Sequence, residues 1–361
     1  MTGRSPAAVF VLSQATPLRG MERAAADTVA ALQADGLDVS LHALVTRPRT
    51  GRVGRLLDLA ASFAAARRLV RQPGPPLVLV GIWVGLRVLP FRRPCDREVV
   101  AWEHSLTRER RAALRSFDAV ARLVLPLYAR RARRVVAVSA AVATALAEQP
   151  GVGGRVVVVA NPVGKDPLTG TGRREPAPVP AGGRLLAVGG LEPLKNPELA
   201  LEALVMVPGA HLDVAGGGAR LPALRRRAEE LGVAGRVTWH GHTDRVPELL
   251  DACDAVIHTS RSETFGYALL EAAGAHRPVV AVATEQARHL IPSLVPGTTT
   301  AADAAALAAA VRAVLAAPPP VAEFAAADAA RERAYGREAL VAGWRAVLDP
   351  GEPGSRGLRA P

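Results

Sequence analysis

The chain has 361 residues, 49% of them hydrophobic, enough to fill two cores of ordinary domain size. Aromatic residues are only 4%, so Ala, Val and Leu must do most of the packing. The net charge of +12 is uneven: residues 1–165 hold 25 of the 45 Lys and Arg but 11 of the 33 Asp and Glu, and no nucleic-acid motif accompanies that excess.

No run approaches the roughly 18 consecutive apolar residues of a spanning helix, and the apolar run 7–13 is too short for a signal peptide. Cys95 and Cys253 are far apart, with no metal-ligand spacing, which fits a reduced cytoplasmic setting. Arg-rich clusters such as Arg130-Arg131-Ala132-Arg133-Arg134 suit either a plain solvated surface or an anionic partner, a membrane surface or a phosphorylated acceptor, rather than nucleic acid.

Taken in chain order, short apolar runs at 8–12, 39–44, 77–80, 99–102, 135–138 and 156–159 predict strands. Helical patterns fall at 20–34, 52–70, 112–130 and 141–148, so residues 1–165 are expected to form one doubly wound α/β domain. A stretch rich in Pro, Gly and Thr, 166–183, reads as a linker. A second α/β set follows over 184–316, with strands near 184–189, 210–215, 236–239, 254–258 and 278–282. Ala-rich helices are expected at 303–317, 321–333 and 335–348, with Asp303 as N-cap of the first. Residues 349–361 are rich in Gly, Pro and Arg and read as a disordered tail.

The most informative stretch is Ser262-Glu263-Thr264-Phe265-Gly266-Tyr267-Ala268-Leu269-Leu270-Glu271-Ala272-Ala273-Gly274. It sits between two apolar strand candidates and puts one Glu in a loop and another in a helix. A helix N-terminus lies between them and favours a phosphate. Carboxylates at both ends suit hydroxyl-rich groups, so a nucleotide sugar fits the spacing. From spacing alone, a loop Glu and a solvated helix Glu fit as well.

Glu263-x7-Glu271, with Phe265-Gly266 and the trailing Glu-Ala-x-Gly, resembles the donor-site motif of glycosyltransferase family 4, retaining enzymes of the GT-B fold. Further segments resemble it in the expected order: Val188-Gly189-Gly190-Leu191-Glu192-Pro193-Leu194-Lys195-Asn196, then Val214-Ala215-Gly216-Gly217-Gly218, then Arg236-Val237-Thr238-Trp239-His240-Gly241. The resemblance implies two Rossmann-like domains facing a cleft, the last helix crossing back to the first domain. It also implies a nucleotide-sugar donor, UDP by family frequency, held by Gly190, Lys195, Gly216, Gly218, His240, Gly241, Glu263, Thr264, Phe265, Gly266, Tyr267 and Glu271.

By the same resemblance, His104, Lys195 and Glu263 are the candidate catalytic residues. Lys195 would neutralise charge on the leaving diphosphate. His104, after the fourth strand, would offer a neutral imidazole near the transferred sugar. Arg19, Gly20, His104 and Ser139 are the acceptor-side candidates, with Asn161 close by. The family pattern usually reads Gly-Arg-Leu where this chain has Gly189-Gly190-Leu191, so one cationic group is missing; Arg19 is a candidate substitute. No cofactor or metal is expected.

The expected function is transfer of a sugar to a hydroxyl of a cell-envelope lipid or glycan, with peripheral contact at the inner membrane face. A small natural-product acceptor is the alternative. From another class come an inactive GT-B nucleotide-binding protein and, further off, a phosphorylase or nucleotide-sugar epimerase.

Overall fold

The computed structural model describes residues 7–15, 20–46, 48–93, 96–163 and 182–349. Arg19, Cys95, nearly all of the expected linker and the tail from residue 350 lie outside the described residues. The chain folds as two units: Met1–Pro162 with Ala334–Pro361, and Val163–Arg333.

The first unit carries strands β1 (Ala7–Gln14), β2 (Asp38–Val45), β3 (Leu77–Val80), β4 (Val99–Glu103), β5 (Arg134–Ala137) and β6 (Val156–Val158). They form one parallel sheet in the order β2-β1-β3-β4-β5-β6. Its helices are α1 (Gly20–Ala34), α2 (Gly51–Arg71), α3 (Ile82–Val88), α4 (Arg108–Ala113), α5 (Arg115–Arg131) and α6 (Ala140–Ala147). Strands buried on both faces need apolar side chains at every position, so β3 reads Leu-Val-Leu-Val without alternation and is wholly buried.

The second unit repeats the plan with β7 (Arg184–Val188), β8 (His211–Ala215), β9 (Val237–Gly241), β10 (Ala255–His258), β11 (Val279–Val282) and β12 (Gly297–Thr300). Their order is β12-β11-β10-β7-β8-β9, again parallel. The helices are α7 (Pro197–Val205), α8 (Leu221–Glu230), α9 (Val246–Ala252), α10 (Tyr267–Gly274), α11 (Glu285–Leu290), α12 (Ala304–Ala316) and α13 (Val321–Tyr335). The chain leaves β7 toward β8 and β9, then returns to β10 on β7's other side. The pair β7 and β10 is therefore the point where the order reverses, and the carboxyl ends of such strands form the binding crevice of open α/β sheets.

The last helix, α14 (Arg337–Leu348), packs on the first unit. Trp344 is fully buried there, edge-on to Phe10 and to Trp102, with ring centroids 4.9 Å apart in both pairs. Arg133 donates to the Val347 and Asp349 carbonyls, and Arg345 pairs with Asp35 at 2.7 Å. No single helix among the described residues is long and apolar enough to cross a membrane.

Three elements depart from the sequence reading. The sixth strand of the second sheet, β12, reads Gly-Thr-Thr-Thr and lacks the apolar run used to find strands. It lies at the sheet edge, and a Cβ on Gly297 would sit 2.1 Å from the Val279 carbonyl oxygen. Helix α3 reads Ile-Trp-Val-Gly-Leu-Arg-Val, and a short apolar run does not distinguish a buried helix from a strand. The helix expected over 112–130 begins earlier and is broken: Thr107 caps α4 by accepting from the Arg110 N–H, and Leu114 is extended.

Candidate donor site

The loops after β7 and β10 meet at the reversal point. The first continues through Gly189 and Gly190 to a 3₁₀ turn, Pro193–Lys195. The second runs Thr259 to Gly266 and enters α10. Thr259 Oγ1 donates to the Lys195 carbonyl at 2.9 Å, and the Arg261 N–H donates to the Leu194 carbonyl at 2.8 Å. These bonds bring two side chains 68 positions apart into contact: Lys195 Nζ donates to Glu263 Oε2 at 2.8 Å.

Glu263 is buried and held at both oxygens. Oε1 accepts from the Thr264 N–H at 3.0 Å, and Oε2 also lies 3.0 Å from His258 Nε2. Burial resists its ionisation, but the Lys195 ammonium, followed by His258, outweighs that and holds the carboxyl well below the usual range. Glu263 is therefore a carboxylate at neutral pH, an acceptor for hydroxyls.

Gly266 turns the loop into α10 with a left-handed φ of 91°, and a Cβ there would lie 2.8 Å from Leu290. Gln286, fully buried on α11, donates to the Phe265 carbonyl at 3.0 Å. A trans peptide points its C=O and N–H in opposite directions. Holding the Phe265 carbonyl against α11 thus turns the Gly266 N–H away from α11. Phe265 itself is buried against Tyr267, with ring centroids 4.7 Å apart. Glu271 stands on the second turn of α10, half-buried, so Glu263 and Glu271 straddle a helix start and do not share one helix. At the far end of α10, buried Arg331 donates to the Ala273 carbonyl at 3.2 Å and the Leu294 carbonyl at 2.7 Å, a cation placed where the helix dipole favours it.

Two glycines expected to touch ligand have a packing duty. A Cβ on Gly216 would sit 1.8 Å from the Gly189 carbonyl oxygen, and one on Gly218 would sit 2.7 Å from that of Leu191. The Leu191 N–H donates to the Gly217 carbonyl at 3.0 Å, so the loops after β7 and β8 zip together by backbone. Gly190 is different: a Cβ there meets nothing nearer than 3.9 Å, and that atom belongs to Glu192. The position of the missing family arginine has room for a side chain.

His240 lies on β9 beside Gly241, and its Nε2 is 2.7 Å from Asp213 Oδ1. Arg184 donates to the other oxygen at 2.6 Å. Burial opposes ionisation of Asp213, but Arg184 and His240 overcome it and hold the carboxyl below its ordinary value.

In the first unit His104 follows β4, nearly buried, its ring centroid 4.4 Å from that of Trp102. Its Nε2 has no hydrogen-bond partner, and burial pushes the imidazole down to about 3, so it is neutral. Glu103 points to the other face, as strand alternation requires, and accepts from the Tyr128 hydroxyl. Burial pushes Glu103 up to about 8 despite that bond. Ser139 is the N-cap of α6, accepting from the Val142 N–H at 3.3 Å. Gly20 opens α1 and is exposed. Asn161 is buried, with its Oδ1 unpartnered.

Sequence reasoning missed His258, Gln286, Asp213, Arg184 and Arg331. Asp213 interrupts an apolar strand run and His258 ends one, which is the one signal that singles them out.

Two family models match the chain. Glycosyl transferases group 1 matches residues 174–335, and Glycosyltransferase Family 4 matches residues 18–166. The D-inositol 3-phosphate glycosyltransferase of Mycobacterium tuberculosis is 41% identical over 114 residues, 29% of this chain. That match covers 24% of the relative, so the chain spans about a quarter of its length. Among solved structures, Anabaena HepE in complex with UDP-glucose superposes with a TM-score of 0.75 at 19% identity, covering 95% of this chain and 99% of that one. WaaG, a glycosyltransferase involved in lipopolysaccharide biosynthesis, gives 0.70 at 18%, covering 95% and 100%. At such identities the likeness shows the fold. With one family model on each half and the two-sheet architecture between them, the chain belongs to the family 4 glycosyltransferases of the GT-B fold.

Proposed function

We propose that the chain transfers a sugar from a nucleotide sugar, a UDP-sugar first, to an acceptor hydroxyl with retention at the anomeric carbon. The observation that carries this reading is the Lys195–Glu263 contact at the reversal point, beside the N-terminus of α10. Lys195 and the first turn of α10 take the diphosphate, Glu263 takes hydroxyls of the sugar, and Glu271 takes those of the ribose. Gly216 and Gly218 keep the surrounding loops close, open Gly241 lies beside the donor, and His240 is steadied by Asp213 for a base-side contact.

The bond from the anomeric carbon to the diphosphate oxygen breaks, and its electron pair goes to that oxygen. The acceptor oxygen forms the new bond on the same face and passes its proton to the departing phosphate. Lys195 offsets the charge that builds there, a contribution that often outweighs any other single one in such sites. His104 meets an acceptor hydroxyl with its unpartnered, neutral nitrogen. The reaction needs no metal in this reading, so chelation should leave the rate unchanged.

The acceptor is anionic or lipid-linked. The mycobacterial relative is named for D-inositol 3-phosphate, a phosphorylated polyol, and the basic residues 1–165 suit that chemistry. Membrane contact has a further support. On α2, Val53, Leu56, Leu57 and Leu59 are 70%, 67%, 53% and 42% exposed, and Arg67, Arg68 and Arg71 follow them in solvent. Solvent-facing leucines set among Arg52 and Arg55 and followed by a basic run suit an anionic bilayer surface.

Incubation with UDP-, GDP-, ADP- and TDP-sugars, with inositol phosphates and envelope lipids as acceptors, tests the reading. Product NMR should show the donor's anomeric configuration kept. Inversion, or nucleotide binding with no transfer to any acceptor, would favour a different mechanism or an inactive binder. Salt-sensitive co-sedimentation with anionic vesicles would support the lipid acceptor over a small metabolite.

A further inference from the structure

Glu263 Oε2 has two nitrogens within reach, and the two contacts are not alike. Lys195 makes an aligned hydrogen bond at 2.8 Å, from a side chain 36% exposed. His258 Nε2 is 3.0 Å away on a side chain only 4% exposed, yet it makes no aligned hydrogen bond to anything. A buried polar nitrogen without a bond is costly and calls for an explanation. Here the nearest acceptor, Glu263 Oε2, already takes an aligned bond from Lys195, and the imidazole meets it at 3.0 Å without that alignment. Lys195 is flexible and reaches solvent; His258 is fixed at the end of β10 and cannot leave. Both line the small cleft that includes Gly189, Gly190 and Ser260.

We propose that His258 is the reserve partner of Glu263. It takes over the carboxylate when Lys195 turns to a diphosphate, and so makes Lys195 available to the donor. This rests on the proposed function in one respect, that Lys195 meets the diphosphate.

A buried carboxylate that loses its one cation is strongly destabilised. Without a second donor, Lys195 would be held on Glu263 and its charge withheld from the ligand. With His258 present, the departure strands nothing, because the imidazole N–H turns onto the vacated oxygen. The demand on Lys195 is greater here than a family arginine would leave it, since position 190 is glycine. His258 thus acts through Glu263 and Lys195 as a positioning residue.

The test is a double-mutant cycle read by calorimetry with UDP. Lys195→Met alone should weaken UDP binding about tenfold or more, and His258→Leu alone by a similar factor. The two together should be within about twofold of His258→Leu alone, because Lys195 no longer contributes once its release is blocked. His258→Gln, which keeps an N–H donor, should recover most of the affinity. Thermal melting of each variant with and without UDP separates folding from binding.

Unchanged affinity in His258→Leu would overturn the proposal. So would equal losses from Lys195→Met in the His258 and Leu backgrounds, which is what a merely structural histidine would give. If Lys195→Met leaves UDP affinity unchanged in the wild-type background, the diphosphate reading falls and the hand-over falls with it.

Discussion

The two units place a buried carboxyl near the carboxyl ends of their sheets and treat it in opposite ways. In the second unit, Glu263 is surrounded by Lys195, His258 and a backbone N–H, and is held ionised. In the first unit, Glu103 has one hydroxyl partner and an unpartnered oxygen, and burial pushes it up to about 8. One crevice is built from charges and close backbone; the other from aromatic packing around a neutral histidine. The contrast suits the proposed division of labour, in which an anionic diphosphate needs cations and a neutral hydroxyl does not.

The largest effect should come from removing the second unit's charge. Glu263→Ala should lower transfer by about two orders of magnitude or more, the scale of losing a positioned electrostatic contact. If activity stays within a few-fold of wild type, the role assigned to Glu263 is wrong.

Next in size is backbone closeness. Gly216→Ala puts a Cβ 1.8 Å from the Gly189 carbonyl oxygen at a φ of 156°, and should cost about 2–3 kcal/mol in denaturant unfolding. Gly190→Ala meets no neighbour nearer than 3.9 Å and should change stability by less than about 0.5 kcal/mol. Gly190→Arg should also fold, and should tighten UDP binding by restoring the missing cation. Equal destabilisation at 190 and 216 would remove the distinction between an open and a packed glycine.

The carboxyls give opposite pH slopes. Glu103 has its folded pKa raised from 4.5 to about 8, so the native state holds its proton longer than the unfolded chain does. Its contribution is present below pH 4.5 and lost as pH rises toward 8. Glu263 is lowered, so its contribution is present above pH 4.5 and lost on acidification below that. His104, lowered from 6.5 to about 3, adds a loss as pH falls below 6.5. Glu103→Gln should therefore flatten the decline between pH 6.5 and 8, by an amount on the order of a few kcal/mol. Glu263→Gln should flatten the acid limb. A Glu103→Gln variant with the wild-type slope above pH 6.5 would show that Glu103 is ionised in the fold.

The smallest effect concerns Ser139. As the N-cap of α6 it should lose about 1 kcal/mol on change to Ala, with little change in acceptor KM. A large KM effect at unchanged stability would return Ser139 to the acceptor side.

Much of this was legible in the sequence. Strands buried on both faces write themselves as apolar runs, and the loop-helix motif 262–274 stood out by its two carboxylates. What was not legible was who holds whom. Lys195 and Glu263 are 68 positions apart, and only the order β10-β7 makes their loops neighbours. The packing of Gly216 against Gly189 was not legible either, because that close approach comes from the pairing of β7 with β8. His258 read as the polar end of a strand, since its meaning lies in a carboxylate five residues on, across a turn. Strand β12 escaped because an edge strand of threonines has no apolar run to betray it.

The most direct test of the account is calorimetric titration of UDP into the wild-type chain and into Glu271→Ala, at one salt concentration. The wild type should bind UDP, and Glu271→Ala should bind it at least about tenfold more weakly, as expected for loss of a hydrogen-bonded ribose contact. Equal binding by both would place the nucleotide elsewhere. No binding by the wild type, together with none for GDP, ADP or TDP, would contradict the donor site itself.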